Sequence, residues 1–174
     1  MASGGEPGYL TRDMTIAVSS RIPSVKFKHI QADGTTVVLD TTEVFAGKKM
    51  ILFGLPGAFT PTCHNQHVPS YVARAQELRA KGIQGVVCMA IADHWLMQAW
   101  AESLGTGDKV MMLADGNGEL TRGLDVQLDL TGAMMGLRTK RFVAVVNDGI
   151  IESIETEPAG GIEVTGADAC LIRL

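Results

Sequence analysis

The chain has 174 residues, 46% of them hydrophobic and 20% charged, which is enough for one compact unit with its own core. A net charge of −4 with no basic stripe argues against phosphate-backbone contact, so nucleic acid is not an expected partner. The apolar run 85–92 has the length of a strand, far short of a bilayer span, and no membrane partner is expected either.

Residues 1–21 are polar and Gly-rich and read as a flexible arm ahead of a single domain over 22–174. Glu6 and Asp13 do not suit an organellar presequence, and no apolar signal core is visible. The cytoplasm is therefore expected, with an organellar matrix left open for a chain whose presequence has been removed. Cys63, Cys88 and Cys170 form no C-x-x-C pair and are odd in number, a poor disulfide framework that suits a reducing compartment.

Residues 25–30 alternate as a strand does, and Asp33-Gly34 turns into a second short strand over 36–39. A brief helix is expected over 42–45. Residues 50–55 are apolar on both sides, as in a buried central strand. Val68, Tyr71, Val72, Ala75 and Leu78 recur at helical spacing, with Gly82 as the stop. Pro69 inside that pattern removes a backbone bond to Asn65, so the first turn should be distorted. A buried strand over 86–91, a helix over 94–103, a short strand over 110–113 and a turn over 115–118 follow. Residues 142–146 and 150–154 flank Asn147-Asp148-Gly149 as a hairpin, and a last helix covers 167–173. This order describes an α/β fold with a central mixed sheet flanked by helices and an N-terminal strand extension. It resembles the thioredoxin-like topology.

The chemistry concentrates at Pro56-Gly57-Ala58-Phe59-Thr60-Pro61-Thr62-Cys63. A cysteine that follows a buried strand and opens a helix sits near converging amide N–H groups and the positive end of the helix dipole. Both favour thiolate over thiol. An isolated cysteine is more often an inert core residue, but a loop with two prolines and a glycine holds this one in place. Thr60 lies three residues before Cys63, within reach of a small polar ligand.

The stretch 56–63, after Phe53-Gly54-Leu55, resembles the peroxiredoxins of the type-II, peroxiredoxin-five-like branch. Weaker support comes from Gly47-Lys48-Lys49, Leu113-Ala114-Asp115 and Lys140-Arg141-Phe142. The resemblance implies a thiol peroxidase that reduces hydrogen peroxide or alkyl hydroperoxides through a Cys63 sulfenic acid, with no cofactor. It further implies that Pro56 shields the thiolate, that Thr60 hydrogen-bonds sulfur and peroxide, and that an arginine supplies charge. Arg138 and Arg141 compete for that role. Counted back from Asp148-Gly149, residues 141–146 match the family arrangement, so the resemblance implies Arg141, whose guanidinium suits the charge developing on the leaving oxygen.

The sulfenic acid must then be reduced. One type-II subgroup carries a second cysteine in the segment matching 161–164, where this chain has Val164. Plant-like forms carry it on the strand matching Cys88. Cys88 and Cys170 are therefore candidate resolving residues, each with core packing as the commoner alternative. One-cysteine chemistry is preferred, with glutathione and glutaredoxin or thioredoxin as the external thiol. A peroxide sensor using the same cysteine is the non-enzymatic alternative. Cys63, His64 and His67 lack a fourth ligand for a metal, and neither His29 nor His94 has an acyl-transfer context. The Met-rich loop 131–137 is a candidate apolar wall for a hydroperoxide tail. Trp95 and Trp100 lie where relatives form a homodimer.

Overall fold

The structure is a computed structural model and describes residues 18–174. It opens with the antiparallel pair β1 (Lys26–Ile30) and β2 (Thr36–Asp40), joined through Gly34 at φ 84°, a conformation that glycine adopts without a Cβ clash. Asp40 then caps α1 (Thr41–Phe45), with Glu43 reaching back to the Asp40 amide in a reciprocal capping box.

The main sheet has five strands in the order β5-β4-β3-β8-β9. The strands β3 (Lys49–Gly54), β4 (Gly85–Ala90) and β5 (Met111–Ala114) run parallel, while β8 (Phe142–Asn147) runs antiparallel to β3 and β9 (Ile150–Thr156) antiparallel to β8. Alternation along β3 feeds two separate cores. Ile51, Phe53 and Leu55 face one, with α2 (Val68–Ala73), α3 (Ala75–Ala80), α4 (His94–Leu104) and α6 (Ala167–Arg173). Met50 and Leu52 face the other, with β1, α1 and α5 (Glu119–Gly123). The expected thioredoxin-like α/β architecture is present, with helices on both faces of a mixed sheet.

Pro69 acts as its chemistry requires. The segment Cys63–His67 is π-helical and the Val68 amide reaches the Cys63 carbonyl, so the ladder widens just before the residue that has no N–H to give. Regular helix begins at Val68 and breaks again at Arg74.

Three elements were not foreseen. Asp115, expected only as part of a turn, accepts from the Leu120 and Thr121 amides and so starts α5. The Met-rich loop is the tip of a small hairpin between β6 (Gln127–Leu130) and β7 (Gly136–Thr139). The arm expected over 1–21 lies outside the described residues as far as residue 17. The Ser19 amide donates to the Ile151 carbonyl, and the Ile22 amide donates to the Gly149 carbonyl.

Candidate active site

Strand β3 ends at Gly54, and the chain turns through Pro56–Thr60 into the π-helical segment. Phe59 takes φ 60°, a left-handed conformation costly for a residue with a Cβ, and stacks on His64 at 5.5 Å. Trp100 on α4 donates its indole N–H to His64 Nδ1 at 3.0 Å, fixing the ring of the residue that follows Cys63. Neither His64 nor Phe59 was singled out from sequence for this support.

Cys63 is 1% exposed and belongs to the helix-side core. Arg141 enters from the opposite wall, one residue before β8, and its Nη2 donates to Cys63 Sγ at 3.4 Å across a sequence separation of 78. Its Nη1 donates to His67 Nδ1 at 3.0 Å. Of the two arginines weighed from sequence, Arg141 is the one whose guanidinium reaches Cys63 Sγ. Arg138 instead donates to the Pro56 carbonyl at 3.3 Å and the Met135 carbonyl at 2.8 Å, tying the small hairpin to the loop ahead of Cys63.

Thr60 lies where expected in the loop, but its hydroxyl donates to the Gly57 carbonyl at 2.8 Å. That bond tightens the turn and leaves the oxygen's lone pairs for another donor. Pro56 is half-buried, with its carbonyl held by Arg138.

His67 was weighed from sequence only as a metal ligand, and the structure gives it another place. Fully buried, it hydrogen-bonds through Nε2 to the Thr165 carbonyl at 3.1 Å. Since Nδ1 faces a guanidinium donor, the proton sits on Nε2 and the ring is neutral. Burial, reinforced by Arg141, outweighs the Thr165 carbonyl and Glu157 and lowers its pKa to about 4. No cluster of three or more metal-ligating side chains exists among the described residues.

Cys88 and Cys170 are free and buried in the same core as Cys63. Burial pushes the Cys88 thiol well up, a charge on Cys63 adds to this, and Arg141 opposes it. Burial also raises Cys170, against the pull of Arg173. Cys88 pairs in register with Phe53 on β3 and Met112 on β5, so it is enclosed on both sides within the sheet. Met134 is 96% exposed, whereas Met135 reaches towards Gly57.

The family model described as Redoxin matches residues 17–171. Peroxiredoxin-2E-2, chloroplastic, from Oryza sativa subsp. japonica is 40% identical over 164 residues, which cover 92% of this chain and 73% of that one. Peroxiredoxin-2C from the same plant is 35% identical, covering 91% of this chain and 98% of its own. Among solved structures, reduced Prx3 of Vibrio vulnificus in complex with hydrogen peroxide has a TM-score of 0.85 at 33% identity. The match covers 91% of this chain and 98% of that one. Peroxiredoxin 5 from Alvinella pompejana has a TM-score of 0.78 at 32% identity, covering 90% and 96%. A cysteine under a guanidinium at the end of a thioredoxin-like central strand thus sits in a chain that belongs to the peroxiredoxins, in their type-II branch. Its activity is that of a thiol-dependent peroxidase, and none of these relatives favours a sensing role instead.

Proposed function

We propose that Cys63 is the peroxidatic nucleophile, assisted by Arg141 and Thr60 and shielded by Pro56, and that an external thiol regenerates it. The observation that carries this reading is the 3.4 Å contact from Arg141 Nη2 to Cys63 Sγ. The sulfur attacks one peroxide oxygen, the S–O bond forms as the O–O bond breaks, and the leaving oxygen departs as water or alcohol after taking a proton. Sulfur is oxidised by two electrons and the peroxide is reduced by two. Arg141 carries donors for both the sulfur and the departing oxygen. Thr60, held by Gly57, presents its oxygen lone pairs to the O–H of the incoming peroxide.

Regeneration proceeds when an outside thiol attacks the sulfenic sulfur, releasing water and leaving a mixed disulfide that a second thiol cleaves. The burial of Cys88 and Cys170 supports this route over an internal disulfide, because close packing holds a buried thiol in place. Glutathione with glutaredoxin, or thioredoxin, is the reductant by this reading, and no cofactor takes part. Met135, beside the catalytic loop, and the exposed Met134 offer apolar surface to an alkyl hydroperoxide tail. The exposed Trp95 and Leu96 on the first turn of α4 suit a homodimer contact. Three unpaired cysteines fit a reducing compartment, cytoplasm or organelle interior, in a chain whose single domain runs from about residue 22.

Peroxide turnover with each reductant tests the nucleophile and the route of its regeneration. Cys63→Ser is expected to abolish turnover, and full activity in that variant overturns the assignment. Cys88→Ser and Cys170→Ser are expected to turn over normally. Loss in either, with folding intact, overturns the external-thiol route.

A further inference from the structure

The Arg141 side chain is held by a chain of contacts that returns to its own backbone. Nη1 donates to His67 Nδ1 at 3.0 Å, and His67 Nε2 donates to the Thr165 carbonyl at 3.1 Å. Thr165 is fully buried, and its amide and hydroxyl both donate to Glu157 Oε1 at 2.8 Å, joined there by the Val164 amide at 2.9 Å. The Glu157 amide in turn donates to the Arg141 carbonyl at 2.9 Å. One carboxylate oxygen therefore gathers three donors from a turn, and that turn supplies the only acceptor His67 Nε2 has among the described residues.

Two further details mark Glu157 as more than a surface acid. Its second oxygen, Oε2, is buried with no partner among the described residues, a cost that a freely placed carboxylate avoids by turning to water. The Thr165 carbonyl also takes the Tyr71 hydroxyl at 2.6 Å, so a displaced turn disturbs the helix wall as well as the histidine.

We propose that Glu157 is a positioning residue for the peroxidase reaction, clamping the 164–165 turn so that the Thr165 carbonyl holds His67 as the Nε2–H tautomer and His67 holds Arg141 on Cys63. The geometry runs in one direction. If Glu157 releases the turn, the Thr165 carbonyl moves, the imidazole loses its tautomer lock, and Nδ1 no longer presents a lone pair to Arg141. The guanidinium then leaves the position from which it reaches the sulfur. This inference rests on the reading that Arg141 assists the Cys63 reaction.

The test is the single-turnover rate of Cys63 oxidation by hydrogen peroxide, measured by stopped flow on variants shown to be folded by circular dichroism. Misplacement of a reacting group by about 1 Å costs up to about a hundredfold, so Glu157→Ala is expected to slow oxidation by about ten- to a hundredfold. Glu157→Gln keeps an oxygen that accepts from the turn, and should recover most of that loss. In an Arg141→Gln background, Glu157→Ala should slow oxidation no further, because its effect passes through the missing guanidinium. Nitrogen-15 spectra of labelled histidine should show His67 protonated at Nε2 in the parent and mixed between tautomers in Glu157→Ala. If Glu157→Ala does not fold, Thr165→Val, which removes only the hydroxyl contact, is carried through the same two backgrounds.

An unchanged rate in Glu157→Ala overturns the proposal. So does an equal slowing in both backgrounds, a Gln variant as slow as the Ala variant, or an unaltered His67 tautomer. If Arg141→Gln alone leaves the rate intact, the reading of Arg141 fails instead, while the tautomer measurement still tests the clamp.

Discussion

Acidification should weaken this fold through His67 before its carboxylates begin to protonate in number. The ring is neutral in the native state, with a pKa of about 4 against 6.5 for a free histidine. Between those values the unfolded chain binds a proton that the folded chain refuses. The contribution of His67 is thus fully present above about pH 6.5 and lost as pH falls towards 4. A shift of that size corresponds to about 3 kcal/mol in full, of which about 2 kcal/mol should disappear between pH 7 and pH 5. The control is His67→Gln, a side chain with one acceptor and one donor that does not titrate. Urea unfolding at both pH values isolates the effect, because every other titrating group is common to the two proteins. Wild type should lose about 2 kcal/mol more than His67→Gln over this interval. An identical pH dependence would mean that His67 takes up its proton in the folded protein as readily as in the unfolded chain, and the lowered pKa would then be wrong.

Arg141→Lys keeps the charge but replaces a fork with a single ammonium, which cannot reach Cys63 Sγ and His67 Nδ1 with separate planar donors. Loss of one oriented donor should slow peroxide reduction by about a hundredfold or more, read as kcat/KM, and a rate within twofold of wild type contradicts that role. Gly54→Ala drives a Cβ into Phe142 Cε1 and to 2.9 Å from Thr139 Cγ2, at the point where β3 enters the loop ahead of Cys63. Overpacking of this kind should cost about 1–3 kcal/mol, and an unchanged denaturant midpoint would show that Phe142 moves aside freely. Asp115→Ala removes the acceptor of the Leu120 amide, the Thr121 amide and the Thr121 hydroxyl, all in buried surroundings. A loss of about 1–3 kcal/mol is expected from calorimetry, with peroxidase activity retained in the folded fraction.

The parts of the fold legible in the sequence are those whose apolar pattern is long and uninterrupted. Residues 50–55 and 86–91 read as buried strands because both faces are covered, and the helix pattern from Val68 is governed by Pro69 as expected. The small hairpin between β6 and β7 escaped because its strands have four residues each and carry Gln127, Asp129 and Arg138 among the apolar positions. The start of α5 escaped because Asp115 caps from outside the helix, five residues before Leu120. At the site, Cys63 and Arg141 were legible because each sits in a distinctive local run. The His67, Thr165 and Glu157 contacts were not, since His67 and Thr165 lie 98 residues apart and only the closed fold brings that carbonyl to that ring.

This difference between the local and the assembled parts bears on how the sulfur is returned to its starting state. The three cysteines share one apolar core, and the groups around them do not treat the three alike. Arg141 donates directly to Cys63, and burial pushes the Cys88 and Cys170 thiols up. A resolving thiol acts as thiolate, so the upward shift of Cys88 and Cys170 in their native positions supports the proposed external-thiol route. Cys88 is held between β3 and β5 within the central sheet, and Cys170 sits on α6 against the helix-side core. The Cys63 loop, by contrast, is tied by the Thr60, Arg138 and His64 contacts at its rim, and none of these belongs to the five-stranded sheet. On the external-thiol route proposed above, the contacts that would loosen are those at the rim of the Cys63 loop rather than those of the central sheet.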